Sequence, residues 1–204
     1  MLRKTLVKLI PIRKIRHRLR DKYAREEFCK KHPIYRDNFI GNNVILSYEQ
    51  NMEFGGKVFV GDDCRFYAEG GLKIGAYTKF GQQCIIVTTN HNYTSHTRTP
   101  YDHIGLTRRV EIGKNCWIGL HSIIMSGVKI EDGAIVGAGS VVTKSVPKCA
   151  IVAGNPARII GWRDKEEYER LESGGFNYPM DTEPAREWVR IDGFKQYMTE
   201  SIKK

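Results

Sequence analysis

His91 is the side chain of this sequence that is best suited to acid–base chemistry. It stands in the run TTNHNY, residues 88–93, where an apolar strand pattern gives way to a long polar loop. A neutral imidazole at the edge of a rigid element suits a general base that takes a proton from a hydroxyl or an amine. The alternative is a histidine that only caps a corner of the fold, and the residue type alone leaves both interpretations open.

The loop that follows His91 is the second feature that indicates function. Residues 92–109 interrupt an otherwise regular pattern and contain rings and basic side chains, namely Tyr93, His96, His103, Arg98, Arg108 and Arg109. A loop of this length in a compact domain is more often functional than idle. Neither a cysteine nor a serine forms a convincing nucleophilic triad, so we expect direct transfer chemistry and no covalent enzyme intermediate.

The elements that must position His91 are short strands with a period of six residues. An aliphatic residue recurs at every sixth position of residues 110–147, at Ile112, Ile118, Ile124, Ile130, Val136 and Val142. Neither the helical period of 3.6 nor the strand period of 2 explains a step of six. A coil with three flat faces does, because each face is a short strand with one inward aliphatic residue and successive coils stack at strand spacing.

A looser version of the six-residue step precedes this region. Val60, Phe66 and Leu72 keep the step, and the phase then slips by two residues to Ile74. Residues 47–57 are interpreted as a turn or an extra edge segment.

The cysteines are interpreted as small buried side chains that pack in the core. Cys64, Cys84 and Cys116 each fall four places after an inward position, and the sequence has no CxxC pair. This spacing argues against disulfides and for a reducing, cytoplasmic setting.

The net charge of +10 comes from one end of the chain. Residues 1–36 hold thirteen Lys and Arg against three acidic residues, whereas the remainder is neutral. Residues 1–31 follow the three- and four-residue apolar steps of an amphipathic helix, interrupted at Pro11. This basic arm either caps the end of the solenoid or contacts an anionic membrane. Nucleic acid is not expected as a partner, because aromatic interleaving and a nucleic-acid motif are both absent.

Three parts are predicted: a basic helical arm over 1–38, the solenoid over 39–160 with its loop 92–109, and a helical C-terminal extension over 161–204. The extension should contain one helix from Asp164 to Glu172 and a second from about Pro184. The sequence has neither a spanning run of about 18 apolar residues nor a secretory signal. We therefore expect a cytoplasmic protein, which would be peripheral at the inner face of the membrane if the arm contacts lipid and does not cap the solenoid.

Several stretches together resemble the hexapeptide-repeat acyltransferases: NHNY, PYDHIG, IGKNCWIG, GVKIEDGAIVGAGSVVTKSVP and AGNPARIIG. The resemblance covers residues 58–162 and favours the sugar O-acetyltransferases, which include maltose, galactoside, and lipopolysaccharide or capsule enzymes. It implies a mainly β fold, the left-handed parallel β-helix. It also implies a homotrimer with active sites between neighbouring subunits, and acetyl-CoA as the acyl donor.

The resemblance assigns roles to individual residues. His91 takes the position of the catalytic histidine, and the backbone amide of Ala138 meets the pantetheine arm of coenzyme A. Thr143 and Lys144 are expected to contact coenzyme A, and Arg158 is expected to reach its nucleotide end.

The spacing adds a physical argument for the donor groove. Leu120 and Ala138 are separated by three steps of the repeat, which is one three-faced coil, so they should stack and present their amides as a ladder along the pantetheine. Lys144 and Arg158 then supply positive charge for the phosphates of coenzyme A. Galactoside-type enzymes have a serine where this chain has Leu120, so only the amide remains there.

Four further residues are expected on the acceptor side: Glu69, Asn90, Tyr93 and Trp117. Galactoside-type enzymes have an asparagine after a Phe-Tyr-Ala, where this chain has Glu69. Glu69 is therefore either a contact to the acceptor or a group that orients His91 from another subunit. Trp117 should project outward, where it walls the acceptor pocket or lies at a subunit interface.

The function predicted from these features is acetyl-CoA-dependent O-acetylation of a sugar hydroxyl, in a unit of a bacterial surface polysaccharide. His91 would act as general base in a ternary complex. Within acyl transfer, the alternatives are an N-acetyltransferase acting on an amino sugar nucleotide and a xenobiotic acetyltransferase.

Two alternatives lie outside acyl transfer. A γ-class carbonic anhydrase shares the implied fold, and the spacing of His91 and His96 resembles that of two of its zinc ligands. A third ligand is missing, because no histidine lies between His32 and His91, so no metal is expected. A non-catalytic scaffold would need neither His91 nor the set of Thr143, Lys144 and Arg158.

Overall fold

The computed structural model describes residues 30–175 and Asn177. Most of the predicted basic arm and the second C-terminal helix, from Pro184, lie outside the described residues. The chain divides into two compact units, residues 1–38 and 39–204. In the first, the described part contains a short 3-10 helix, Pro33–Tyr35, after which Asn38 Nδ2 donates to the carbonyl of Ile34 at 2.8 Å.

The second unit is a solenoid whose coils each consist of three short strands. The first coil contains β1 (Phe39–Ile40), β2 (Ile45–Ser47) and β3 (Met52–Phe54), with a 3-10 turn at Glu49–Asn51. The second contains β4 (Phe59–Val60), β5 (Arg65–Tyr67) and β6 (Leu72–Ile74). The third contains β7 (Lys79–Phe80), β8 (Ile85–Val87), a hairpin of β9 (Thr89–His91) and β10 (Gly105–Thr107), and then β11 (Val110–Ile112).

The later coils follow the same order. The fourth contains β12 (Trp117–Ile118), β13 (Ile123–Ile124) and β14 (Lys129–Ile130), and the fifth begins with β15 (Ile135–Val136) and β16 (Val141–Val142). The solenoid ends in an antiparallel pair, β17 (Ala150–Gly154) and β18 (Ala157–Trp162), and helix α1 (Lys165–Ser173) follows.

Equivalent strands of successive coils pair in parallel and build three faces. Face A consists of β1, β4, β7, β12, β15 and β17, face B of β2, β5, β8, β13 and β16, and face C of β3, β6, β11 and β14. Ile118 pairs with Phe80 of the coil before it and with Val136 of the coil after it. The predicted three-faced solenoid is confirmed, and its corners are named A–B, B–C and C–A after the faces they join.

The core lies inside the triangular tube. All six aliphatic residues of the six-residue step are buried there, with Ile118 and Ile124 fully inaccessible to solvent. The buried rings of Phe66 and Phe80 pack with their centroids 5.0 Å apart. Burial of this kind stabilises the fold by about 1.5–3 kcal/mol for each large apolar side chain.

The predicted packing of the cysteines in the core is confirmed. Cys64, Cys84 and Cys116 are buried and, within the part of the chain that the structure describes, form no disulfide. Each thiol donates to a carbonyl of the following coil, as Cys84 Sγ does to Gly119 at 3.2 Å.

The early coils explain the slip of two residues in the repeat. Leu72 and Ile74 are both buried in β6, so the two-residue slip is a strand with two inward side chains, which lengthens the coil. Val60 therefore pairs with Phe80 across a longer stretch of chain than the one that separates Ile118 from its partner Val136. Residues 47–57 contain a 3-10 turn and the strand β3, which pairs with β6 at the edge of face C, so the predicted turn or edge segment is confirmed.

Helix α1 confirms the predicted helix from Asp164 to Glu172. The Asp164 side chain accepts from the Glu167 N–H and caps the first turn. The buried ring of Tyr168 packs on Gly133, and Lys148 pairs with Glu169 at 2.6 Å. Among the described residues, no helix has the length and apolar character needed to cross a membrane.

Candidate active site

His91 lies on a hairpin that leaves the solenoid at the B–C corner. Strand β9 follows β8 of face B directly and pairs antiparallel with β10, which places His91 opposite Gly105. The imidazole is exposed, and its ring stacks on Tyr101 with centroids 3.8 Å apart and planes 11° apart. The long loop is therefore folded back onto the predicted general base.

The Asp102 carboxylate holds the two arms of this loop together through hydrogen bonds. One carboxylate oxygen accepts from Asn92 Nδ2 at 2.9 Å, and the other accepts from the Ile104 N–H at 2.8 Å. The hydrogen bond from Ile104 is the main reason that the pKa of Asp102 lies below its usual value. Only 9% of Asp102 is exposed, so its hydrogen bonds link the two arms of the loop at a buried position.

An open cleft of about 710 Å³ borders His91. Of the predicted site residues, the structure brings Glu69, Asn90 and His91 together there, whereas Tyr93 is 70% exposed and does not line the cleft. Glu69 belongs to the coil before His91, at the same corner. The Gly70 N–H beside it donates to the buried Thr88 hydroxyl at 2.8 Å, which fixes the two coils to each other.

Sequence reasoning missed two residues of this cleft, Tyr48 and His103. The Tyr48 hydroxyl interacts with the Glu69 carboxylate, and this interaction raises the pKa of Tyr48. The greater length of the early coils would have placed Tyr48 near Glu69, but the regular six-residue step gave no indication of that length.

Leu120 and Ala138 stack at the A–B corner, as predicted. The carbonyl of Leu120 accepts from the Gly139 N–H at 2.8 Å, and both residues are exposed. Neither the Leu120 N–H nor the Ala138 N–H donates a hydrogen bond to any residue that the structure describes. Two backbone donors on successive coils are therefore left without a partner among the described residues.

Two equivalent amides elsewhere in the solenoid are capped. The Asn42 N–H donates to Asp62 Oδ1 at 2.7 Å, and the Lys114 N–H donates to Asp132 Oδ1 at 2.9 Å. In both pairs an aspartate of the next coil reaches back to the amide that follows a glycine. Ala138 has no such side chain, so the Leu120 N–H remains available to a ligand.

Gly119 permits the close approach of these two coils. A Cβ at this position would lie 2.6 Å from the Ala138 nitrogen and 2.8 Å from the Val136 carbonyl oxygen. The close stacking of the Leu120 and Ala138 amides therefore depends on the absence of a side chain at Gly119.

The remaining predicted residues lie apart from the cleft of His91. Thr143 and Lys144 are exposed at the B–C corner, two coils after His91. Arg158 is exposed on β18, and its Nη1 donates to the Ala157 carbonyl at 2.9 Å. Trp117 projects outward from face A with 52% exposed, as predicted, and lines a different cleft, of about 570 Å³, beside Tyr168.

Within one chain the predicted general base His91 and the predicted donor amides of Leu120 and Ala138 occupy two different corners. His91 borders face B from the B–C corner, and Leu120 borders the same face from the A–B corner. No group of three or more His, Cys, Asp or Glu side chains among residues 30–175 is arranged to hold a metal ion.

Comparisons with known proteins identify the family. Residues 109–144 match the model described as the hexapeptide repeat of succinyl-transferase. The chain is 35% identical over 136 residues to WcaF of Escherichia coli K12, which is named for acetyl transfer in colanic acid biosynthesis. This match covers 64% of the chain and 71% of WcaF. The chain belongs to the hexapeptide-repeat acyltransferases.

Solved structures of this family support the assignment. The chain resembles a maltose O-acetyltransferase from Clostridium difficile 630 with 32% identity and a TM-score of 0.60, covering 64% of this chain and 68% of that one. It also resembles a galactoside acetyltransferase in complex with coenzyme A, with 26% identity, a TM-score of 0.55, and coverage of 65% and 68%. This hexapeptide-repeat protein is therefore an acetyltransferase, and the predicted left-handed β-helix is confirmed.

Proposed function

We propose that this protein transfers the acetyl group of acetyl-CoA to a sugar hydroxyl, in a unit of a bacterial surface polysaccharide. The observation that carries the proposal is the exposed His91 imidazole, which borders a cleft that also contains the Glu69 carboxylate. The related acetyltransferases named for maltose, galactoside and colanic acid support a sugar acceptor.

The A–B corner fits the donor. A pantetheine arm carries amide carbonyls that accept hydrogen bonds, and the N–H groups of Leu120 and Ala138 are two unpartnered donors one coil apart within the described part of the chain. Lys144 and Arg158 are exposed cations that suit the phosphates of coenzyme A. The complex of a related galactoside acetyltransferase with coenzyme A supports this choice of donor.

The outer surface of face B supports a homotrimer. Ile85, Ile123 and Val141 lie in register on three successive coils, and they point outward because their neighbours Ile86, Ile124 and Val142 point into the core. An outward aliphatic ladder favours burial against other copies. If face B turns toward a three-fold axis, the B–C corner of one copy meets the A–B corner of the next. His91 of one subunit would then work on a thioester bound by its neighbour.

The proposed reaction is direct transfer in a ternary complex. His91 takes the proton of the acceptor hydroxyl as the oxygen attacks the thioester carbonyl carbon. The C–S bond then breaks, and the imidazolium returns the proton to the departing thiolate, so that the products are an acetyl ester and free coenzyme A. A backbone N–H such as that of Leu120 stabilises the oxyanion. General-base transfer contributes about 10²- to 10⁴-fold, and one oxyanion donor about 10²- to 10³-fold.

The basic arm supports an acceptor at the membrane surface. The thirteen cationic residues within 1–36 would attract anionic lipids at the cytoplasmic face, where lipid-linked glycans are assembled. The check is co-sedimentation with anionic vesicles at low salt. The membrane proposal fails if the intact protein ignores the vesicles and a truncation lacking residues 1–31 behaves identically.

A thiol-release assay with acetyl-CoA tests the reaction class. The panel comprises free sugars, nucleotide sugars and oligosaccharides, and the matched control is His91→Ala. We expect thiol release with a hydroxyl acceptor from the wild type and none above background from the variant. Release only with amino sugar nucleotides would replace O-acetylation by N-acetylation, and a protein that does not bind acetyl-CoA would end the proposal.

A further inference from the structure

Tyr101 covers one face of the His91 imidazole. The two rings are nearly parallel, 11° apart, and their centroids are separated by only 3.8 Å. Since aromatic planes cannot approach much closer than about 3.5 Å, the ring centres are offset by only about 1.5 Å, as in an offset stack. His91 therefore has one face covered and its edge open toward the cleft.

The stack suits both forms of the imidazole that the proposed reaction needs. Two neutral aromatic rings are stable in an offset stack of this kind. A cation above the face of a tyrosine ring is also attracted to it. In the proposed function the imidazolium forms when the acceptor loses its proton, and Tyr101 would then stabilise that charge.

The position of Tyr101 is fixed by its neighbour. Asp102 holds Asn92 on one arm of the loop and Ile104 on the other, so the backbone at Tyr101 is anchored on both sides of His91. The pairing of His91 with Gly105 fixes the imidazole-bearing strand to the same hairpin. The charged or titratable groups that share the cleft with His91 are Glu69, Tyr48 and His103.

We propose that Tyr101 is the positioning residue of His91: it orients the imidazole toward the acceptor cleft and stabilises the imidazolium formed during acetyl transfer. This inference rests on the proposed function of His91. It predicts that the aromatic face matters and that the hydroxyl does not.

Two substitutions distinguish the effect of the aromatic ring from the effect of side-chain size. Tyr101→Phe keeps the ring, and Tyr101→Leu removes it while keeping an apolar side chain. We expect Tyr101→Phe to retain kcat within about twofold and Tyr101→Leu to lose about tenfold to a hundredfold, because small misplacements of a catalytic group have effects of this size. The KM for acetyl-CoA should stay unchanged in both variants, since neither changes the amides of Leu120 and Ala138 that the proposed function assigns to the donor.

An NMR measurement makes the test independent of the acceptor. The C–H resonances of the His91 ring, assigned with His91→Ala, should be shifted upfield by the ring current of Tyr101. The upfield shift should persist in Tyr101→Phe and disappear in Tyr101→Leu. The proposal is overturned if Tyr101→Leu leaves these resonances in place, or if it keeps wild-type kcat while His91→Ala is inactive. Wild-type turnover by His91→Ala would instead overturn the proposed function.

Discussion

Ala138 stands one coil beyond Leu120, at the position that aspartate occupies in two other stacked pairs of the solenoid. Asp62 caps the Asn42 N–H, and Asp132 caps the Lys114 N–H, each from the following coil. The alanine leaves the Leu120 N–H without a partner among the described residues. The proposed donor groove therefore lacks the aspartate cap that these two pairs have.

Restoring that cap should block the groove without harming the fold. In Ala138→Asp, the new carboxylate is expected to accept from the Leu120 N–H as Asp132 does from Lys114, and it places a negative charge where an acyl donor would lie. We predict that the KM for acetyl-CoA rises at least about tenfold, the equivalent of one charge-assisted hydrogen bond. Steady-state kinetics with varied acetyl-CoA measures this effect.

The control for this variant is Ala138→Asn, which has the same shape without the charge. It should raise the KM less than Ala138→Asp does, and neither variant should lower the midpoint of thermal unfolding. An unchanged KM in Ala138→Asp would show that coenzyme A does not use these amides.

Gly119→Ala tests the close contact between the coils. The added Cβ would meet backbone atoms of Ala138 and Val136 below 3.0 Å, and backbone cannot move aside cheaply. We predict a loss of about 1–3 kcal/mol in the free energy of unfolding, the usual effect of overpacking. Denaturant unfolding of the full-length protein measures it.

Gly105→Ala is the matched control for the unfolding measurement on Gly119→Ala. A Cβ at Gly105 would meet nothing within 4 Å, so the free energy of unfolding should change by less than about 0.5 kcal/mol. Equal effects of the two substitutions would contradict the account of the coil contact.

The buried thiols predict a specific alkaline sensitivity. Burial raises the pKa of Cys116 to about 12, from an ordinary value of 9.0. The folded thiol keeps its proton where the unfolded thiol loses it, so this contribution to stability is complete below pH 9 and is lost as the pH rises toward 12. The loss reaches up to about 4 kcal/mol, at about 1.4 kcal/mol for each pKa unit.

Unfolding titrations of the wild type and of Cys116→Ala between pH 8 and pH 12 check this prediction. The variant starts from a lower stability because it leaves a cavity, but its free energy of unfolding should fall less steeply with pH. Parallel slopes for the two proteins would show that Cys116 titrates equally in both states.

The sequence predicted the later coils well because their geometry is repetitive. From Ile112 to Val142, one inward residue falls on each face, and the period follows directly from the stacking of strands. The earlier coils were harder to predict from the sequence. Leu72 and Ile74 both point inward from one strand, so the coil gains residues while the fold is kept.

The site was predicted only as far as local patterns reach. The end of a strand made His91 a candidate, and the family resemblance assigned the roles of His91 and Ala138. The spacing of one coil added that Leu120 and Ala138 stack. The stacking of Tyr101 on His91 depends on how a loop of irregular sequence folds back, and no period encodes it. The contact of Tyr48 with the cleft likewise depends on the length of the early coils.

The most direct test of the shared active site is a subunit-mixing measurement. His91→Ala lacks the base, and Ala138→Asp lacks the donor groove, so each should be nearly inactive alone when acetyl-CoA is held below the wild-type KM. Coexpression of the two variants with different tags yields mixed oligomers. If His91 of one copy acts on a thioester bound by its neighbour, random cyclic trimers should regain roughly a quarter of wild-type thiol release. Mixed oligomers no more active than the separate variants would contradict a site shared between subunits.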